Sequence, residues 1–228
     1  MKKDILKKAF VASVPVLSGY LVIGLSFGVV LQSRGYGPLW SAAMSAFIYA
    51  GSMQFVAVEL MSSAASLFTV ALTTVMVNMR HVFYGLSMVD RYKNTGKARP
   101  YLIFALTDET YSLVCNPPEM APEDEKSFYI LVSVLDHVYW IVGSFLGSLL
   151  GSVLPFSTEG IDFALTALFV SVFAEQWLST KDHVPALLGL GASVLCLLIF
   201  GADNFLIPSM LLILLGLSLY RKREGARA

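Results

Sequence analysis

The sequence predicts an all-α, polytopic membrane bundle, and three observations carry that prediction: an apolar composition, a succession of apolar stretches of membrane-spanning length, and basic residues gathered into three clusters. Of the 228 residues, 56% are hydrophobic and only 14% charged, with a mean hydropathy of +0.69. A soluble core cannot bury that much apolar surface, so lipid must serve as part of the solvent. The formal charge is zero, and no basic stripe marks a nucleic-acid surface, which excludes nucleic acid as a partner.

Apolar stretches run over residues 10–32, 38–63, 64–89, 101–116, 127–154, 161–178, 184–201 and 204–220, most of them near the ~20 residues that a helix needs to cross ~30 Å of hydrocarbon. The first follows Lys2, Lys3, Lys7 and Lys8; it lacks a small-residue cleavage site and is expected to be a retained span rather than a signal peptide. The second carries Gly51-Ser52 between Tyr49 and Gln54, the mark of a break. The third ends at the basic connection Arg91, Lys93, Lys97 and Arg99. After the fourth comes a Pro-rich acidic linker over 117–126, with Glu119, Glu123, Asp124 and Glu125; the last stretch ends at Arg221, Lys222 and Arg223. Cys115 and Cys196 show neither Cys-x-x-Cys nor metal-ligand spacing and are expected to be packing residues; no metal or cofactor is implied.

Basic clusters mark cytoplasmic loops. Eight full spans would put the 91–99 connection on the wrong side, so 38–63 is expected to be a re-entrant or broken hairpin, and 161–178 a second one. The expectation is about six crossings plus two re-entrant elements in one membrane domain over 1–228, with seven to eight full spans as the alternative. The first half would cover 1–116 and the second 127–228, with the acidic linker external and both termini cytoplasmic. Three crossings per half imply an inverted repeat. Gly24-x-x-x-Gly28 matches Gly143-x-x-x-Gly147 at an offset of 119, and Phe47, Gln54 and Phe55 match Phe169, Gln176 and Trp177 at an offset of 122.

Ionisable side chains at bilayer depth cost about 2.5–3.5 kcal/mol on insertion scales and therefore face a protein or water-filled interior. Asn78, Arg80 and His81 form one such island, Asp108 and Glu109 a second, and Asp136 and His137 a third. Arg80 either pairs with a carboxylate to lock two helices or offers its planar fork to a substrate carboxylate, and the two roles are compatible. Neighbours on a helix point about 100° apart, so Asp108, on the face of Tyr111 and Ser112, is assigned to the pore and Glu109 to a neighbouring helix. Ser52, Gln54 and Gln176 lie in the expected broken elements, where free backbone N–H groups can hold an anion. Substrate binding is thus assigned to Ser52, Gln54, Asn78, Arg80, Asp108, Glu109 and Gln176, and proton coupling to His81, Asp108, Asp136, His137 and Glu175, a His near a carboxylate being able to change charge near neutral pH. Phe47, Phe55 and Phe83 are expected to supply an apolar pocket.

At these residues the chain resembles the AzlC-type family of branched-chain amino acid permeases. The matching stretches are AGSMQF (Ala50 to Phe55), NMRHVFYG (Asn78 to Gly85), TDETY (Thr107 to Tyr111) and WIVGSFLG (Trp140 to Gly147). The resemblance implies an exporter of leucine, isoleucine, valine and, as a further substrate, methionine in the bacterial cytoplasmic membrane, working with a small AzlD-type membrane subunit. A channel would also bury charges, but no filter motif such as TVGYG is present, and a structural subunit would have little use for so many ionisable groups. His-Glu-x-x-His and Gly-x-Ser-x-Gly are missing, so no enzyme is expected, and without a phosphate-binding Gly-rich loop any energy source is ionic or lies in another subunit.

Overall fold

The computed structural model describes residues 2–153, 170, 173–174, 177–178, 180–201 and 205–225, which are mostly helical with no strand among them. The chain divides into two compact units, residues 1–165 and 166–228.

In the first unit, α1 (Lys2–Ser33) and α7 (Pro122–Val153) are long and apolar enough to cross a membrane. They pack side by side along their length through glycines. A Cβ on Gly24 would stand 3.0 Å from the Ser144 nitrogen, and one on Gly143 would stand 2.8 Å from the Tyr20 carbonyl oxygen. At Gly28 and Gly147 an added Cβ would overlap the backbone carbonyls of Ser144 and Leu25. Small residues are what let two backbones approach this closely in a lipid setting, where van der Waals packing drives association. The two glycine motifs singled out in the sequence are therefore the two sides of one contact.

Contacts along this pair advance together, from Ser13 against Tyr139 to Gln32 against Ser148, so α1 and α7 run in the same direction. Their N-terminal ends meet at what is here called the near end. There Lys8 Nζ donates to the Glu119 carbonyl at 2.8 Å, and Ile5, Ala9, Met88, Tyr92, Leu102, Val114 and Phe128 form one buried cluster.

Two broken helical hairpins enter the bundle from opposite ends. α2 (Pro38–Phe47) descends from the far end, where Ser41 Oγ donates to the Ser144 carbonyl at 2.8 Å. The chain breaks over Ile48–Ala50, with Tyr49 held at φ 44°, a left-handed conformation costing roughly 1–2 kcal/mol outside glycine. α3 (Gly51–Ser62) then climbs back, placing Phe55 on Phe27 and Glu59 on Arg34 at 3.3 Å. The break falls just before Gly51-Ser52, the expected position, and those two residues instead open α3. α4 (Leu67–Tyr92), capped by Ser66, returns to the near end. After a 3₁₀ turn (Lys93–Ala98), α5 (Arg99–Phe104) rises to mid-height, breaks, and descends as α6 (Asp108–Val114) to where Arg91 Nη1 donates to the Val114 carbonyl at 3.2 Å.

This second hairpin corrects two expectations. Residues 101–116 are not one continuous span: Thr107 caps a new helix, its side chain accepting from the Thr110 N–H, with Asp108 and Glu109 in the first turn, where carboxylates favour a helix start. Because the segment returns to the end it came from, the 117–126 linker lies beside Lys8 and the 91–99 connection rather than at the opposite end. The repeat pairing α1 with α7 also falls, since inverted elements must run antiparallel and these run parallel. The expected break at 161–178 lies almost wholly outside the described residues.

In the second unit, α8 (Val184–Phe200) and α9 (Leu206–Gly225) form an antiparallel pair, turned at Gly201 and tied at the other end by Tyr220 Oη donating to Asp182 Oδ2 at 3.0 Å. His183 stacks on Trp177 with ring centroids 4.1 Å apart. Cys115 and Cys196 are both free thiols.

Candidate functional site

The two helix breaks meet against the middle of α4 and α7, and the polar residues of the first unit gather there. Arg80, at mid-length on α4, bridges both breaks: Nη1 lies 2.8 Å from Asp108 Oδ2, and Nη2 donates to Ser52 Oγ at 3.1 Å. Both side chains of the ion pair keep partial access, at 37% and 29% exposed. Arg80 Nε and Asp108 Oδ1 have no hydrogen-bond partner, so each half of the pair retains one unused polar atom. His81 is half-buried and its Nδ1 lies 3.2 Å from the Asn78 carbonyl, one turn earlier on α4.

Glu109 turns away from its neighbour Asp108, as the helical angle between them requires. Its Oε2 accepts from Tyr20 Oη of α1 at 2.8 Å. Tyr20 Oη also lies 2.6 Å from Thr107 Oγ1, Thr107 Oγ1 lies 3.1 Å from Thr110 Oγ1, and Thr110 Oγ1 donates to Asp136 Oδ2 at 2.9 Å. Asp136 and Thr110 are wholly buried.

His137, one residue on, joins both hairpins to α7. Nε2 lies 3.2 Å from the Ser45 carbonyl at the end of α2, and Nδ1 lies 3.2 Å from Tyr101 Oη of α5. A carbonyl only accepts, so Nε2 carries a hydrogen; Tyr101 Oη, which also donates to the Ser133 carbonyl at 3.4 Å, makes the second contact with Nδ1. Tyr49 stacks on the imidazole at 4.2 Å. Gln54 is fully buried and holds the first break closed: its Oε1 accepts from Trp140 Nε1 at 2.8 Å and from the Ala50 N–H at 3.3 Å, and its Nε2 donates to Ser45 Oγ at 3.4 Å.

The structure thus brings Ser52, Arg80 and Asp108 together, places Glu109 and Asp136 at the two ends of a hydroxyl chain, and gives Gln54 and His137 bracing contacts. Glu175 and Gln176 lie outside the described residues. Phe47 and Phe83 are exposed at 81% and 54%, whereas Phe55 is core against Phe27; the three do not line a common pocket. Sequence reasoning missed Tyr20, Tyr49, Thr107, Thr110 and Trp140, which are uncharged and so escape a search for ionisable groups. The Thr-Asp-Glu-Thr run was the available signal, since Thr followed by acidic residues marks a helix start.

The family model described as AzlC protein matches residues 15–154, which includes every one of these contacts. The chain belongs to the AzlC family. Among AzlC-like relatives, the Bacillus subtilis (strain 168) protein named "Branched-chain amino acid transport protein AzlC" is 42% identical over 216 residues, covering 95% of this chain and 85% of its own. A Helicobacter pylori protein (strain ATCC 700392 / 26695), named as an uncharacterized membrane protein, is 44% identical over 217 residues, covering 95% of each chain. The Escherichia coli (strain K12) "Inner membrane protein YgaZ" is 31% identical over 170 residues, covering 70% of this chain and 68% of its own. No solved structure matches. With these relatives and its apolar helices, this AzlC-family chain is a membrane protein.

Proposed function

We propose that the chain is the permease subunit of a secondary transporter that exports branched-chain amino acids across the cytoplasmic membrane. The observation that carries this reading is the Arg80–Asp108 pair at the meeting of two helix breaks, each partner with an unused polar atom. A zwitterion presents a carboxylate and an ammonium, and opening this pair offers a planar fork to the first and a carboxylate to the second. Ser52, at the start of α3, adds a hydroxyl and lies where exposed backbone N–H groups favour an anion. Asn78 is on the same stretch of α4, Glu109 borders the site from α6, and Gln54 shapes it from behind. Gln176 belongs to the same assignment. The name of the Bacillus relative supports the substrate class.

Alternating access fits two hairpins that enter from opposite ends and meet in the middle. In this proposal α1, α4 and α7 cross the membrane, residues 38–62 and 99–114 re-enter without crossing, and the near end, with its N-terminal lysines and the 91–99 connection, is cytoplasmic. The C-terminus, with Arg221, Lys222 and Arg223, is assigned to the same side. The inverted repeat then relates α2–α4 to α5–α7: Ser52-Met53-Gln54-Phe55 aligns with Asp108-Glu109-Thr110-Tyr111, and Arg80-His81-Val82-Phe83-Tyr84 with Asp136-His137-Val138-Tyr139-Trp140, both at an offset of 56. Export is coupled to inward proton flow through His81, Asp108, Asp136, His137 and Glu175, and a small AzlD-type subunit completes the transporter.

Reconstitution with and without such a subunit, following labelled leucine against an imposed pH gradient, tests the reading. Gradient-dependent leucine flux that needs both subunits is expected; absence of leucine flux from the paired subunits, or flux indifferent to the gradient, would contradict the substrate and the coupling respectively.

A further inference from the structure

We infer that Glu109 and Asp136 share a single proton through the hydroxyls of Tyr20, Thr107 and Thr110, which form a two-way relay between them. This deepens the proposed coupling, on which its transport role rests, by naming where the moving proton is stored.

The geometry is a chain of four oxygen–oxygen contacts, of 2.8, 2.6, 3.1 and 2.9 Å, from Glu109 Oε2 to Asp136 Oδ2. Each contact of that length is a hydrogen bond and requires one hydrogen. Three hydroxyls supply three. With both carboxylates ionised, one contact in the interior of the bundle is therefore left as bare oxygen against oxygen. One further proton, on either carboxyl, fills all four and gives every hydroxyl one bond donated and one accepted. Buried polar networks are stable when fully satisfied and costly when partly so.

A second observation agrees. Asp136 is wholly buried, and its Oδ1 has no partner. An anionic oxygen left bare in that setting is far more costly than the oxygen of a neutral acid. The balancing positive charge nearby, Arg80, is already taken by Asp108.

The two filled states are mirror images. When Glu109 is the acid it donates to Tyr20, Tyr20 to Thr107, Thr107 to Thr110, and Thr110 to the Asp136 carboxylate. A concerted shift of four hydrogens carries one net proton from Glu109 to Asp136, reverses every bond and regenerates all three hydroxyls. Thr107 and Thr110 frame the α5–α6 break and Tyr20 sits on α1, so movement of that hairpin relative to α1 or α7 opens the chain and strands the proton at one end. The other groups facing the pair are Asp108 and Arg80 beside Glu109, His137 beside Asp136 on α7, and the phenols of Tyr49 and Tyr101.

The test is infrared spectroscopy of the purified chain in nanodiscs, with no substrate, reading the carbonyl stretch of a protonated carboxylic acid at neutral pH. Wild type is expected to show one protonated carboxyl from this pair. An amide both donates and accepts as a neutral acid does, so either Glu109→Gln or Asp136→Asn completes the chain with the remaining carboxylate ionised. Each single variant should therefore lose the band while the amide bands in the same spectrum confirm an intact helical fold. Tyr20→Phe breaks the chain, so the two carboxyls should titrate independently, where the intact pair releases its two protons in coupled, separated steps. A wild type with no such band, or a band that persists in both amide variants, would overturn the shared proton. Because no amino acid is present, a failure of leucine transport would leave this result standing, and the reverse.

Discussion

Replacing Gly147 with alanine should wedge apart the two longest helices of the bundle. The added Cβ would lie 2.6 Å from Leu25 Cα and 2.7 Å from Leu25 C, besides overlapping the Leu25 carbonyl oxygen, and ordinary contact begins near 3.4 Å. Relief therefore needs a separation of at least about 0.8 Å for the Cα alone and more for the carbonyl oxygen, and the obstacle is backbone, which cannot rotate away as a side chain can. Overpacking costs about 1–3 kcal/mol when neighbours yield. A gap approaching 1 Å also forfeits a quarter to a half of each dispersion contact beside it. The upper part of that range, about 2–3 kcal/mol, is expected, a fall of roughly thirty- to a hundred-and-fifty-fold in the folded to unfolded ratio. Gly19→Ala is the matched control, with nothing within 4 Å of its Cβ, and should be neutral or slightly stabilising through helix propensity. Denaturant-induced unfolding in detergent, followed by circular dichroism, makes the comparison. If Gly147→Ala unfolds at the same midpoint as Gly19→Ala, the close parallel contact of α1 and α7 is wrong.

Single cysteines at Lys7, Lys93 and Glu123, in a chain freed of Cys115 and Cys196, should react with an impermeant thiol reagent from one membrane face, and a cysteine at Arg34 from the other; position 123 reacting from the face opposite position 93 would remove the second hairpin. Trp140→Phe deletes the indole donor to buried Gln54, whose Oε1 keeps only the Ala50 N–H, and should lower stability by about 1–2 kcal/mol. Arg80→Met leaves Asp108 without its cation; the pair is partly exposed, so the expected loss of about 2 kcal/mol lies between surface and buried ion pairs. Arg80→Met with Asp108→Leu should recover most of that stability, and a loss in the double variant equal to the sum of the two single losses would show that the pair carries no structural coupling.

Much of the site was legible because charge in an apolar stretch is conspicuous. Arg80 and Asp108 stand out by their insertion cost alone, and Gly51-Ser52 points to within a few residues of the first break, which centres on Tyr49. The second break was not legible from hydropathy, because Leu102 to Leu106 and Tyr111 to Cys115 are apolar enough to blend across it into one apparent span. Its signature was local: Thr107 accepts from the Thr110 N–H, a helix start within a stretch whose average looks continuous. That single omission reversed the side assigned to the 117–126 linker and misdirected the repeat toward α1 and α7, whose matching glycines arise from packing on one another. The hydroxyl chain was invisible for a different reason, since Tyr20 of α1 is far in sequence from Thr107 and Thr110 at the start of α6, and the three acquire a role only when folding aligns them with Asp136.

Labelled leucine flux into proteoliposomes bearing the Arg80→Met, Asp108→Leu double variant with the proposed small partner tests the central claim most directly, because that variant is expected to fold while losing both charges of the candidate site. The account predicts wild-type helicity and subunit assembly with leucine flux reduced to the level of empty vesicles. Flux equal to wild type would contradict the assignment of Arg80 and Asp108 to the substrate.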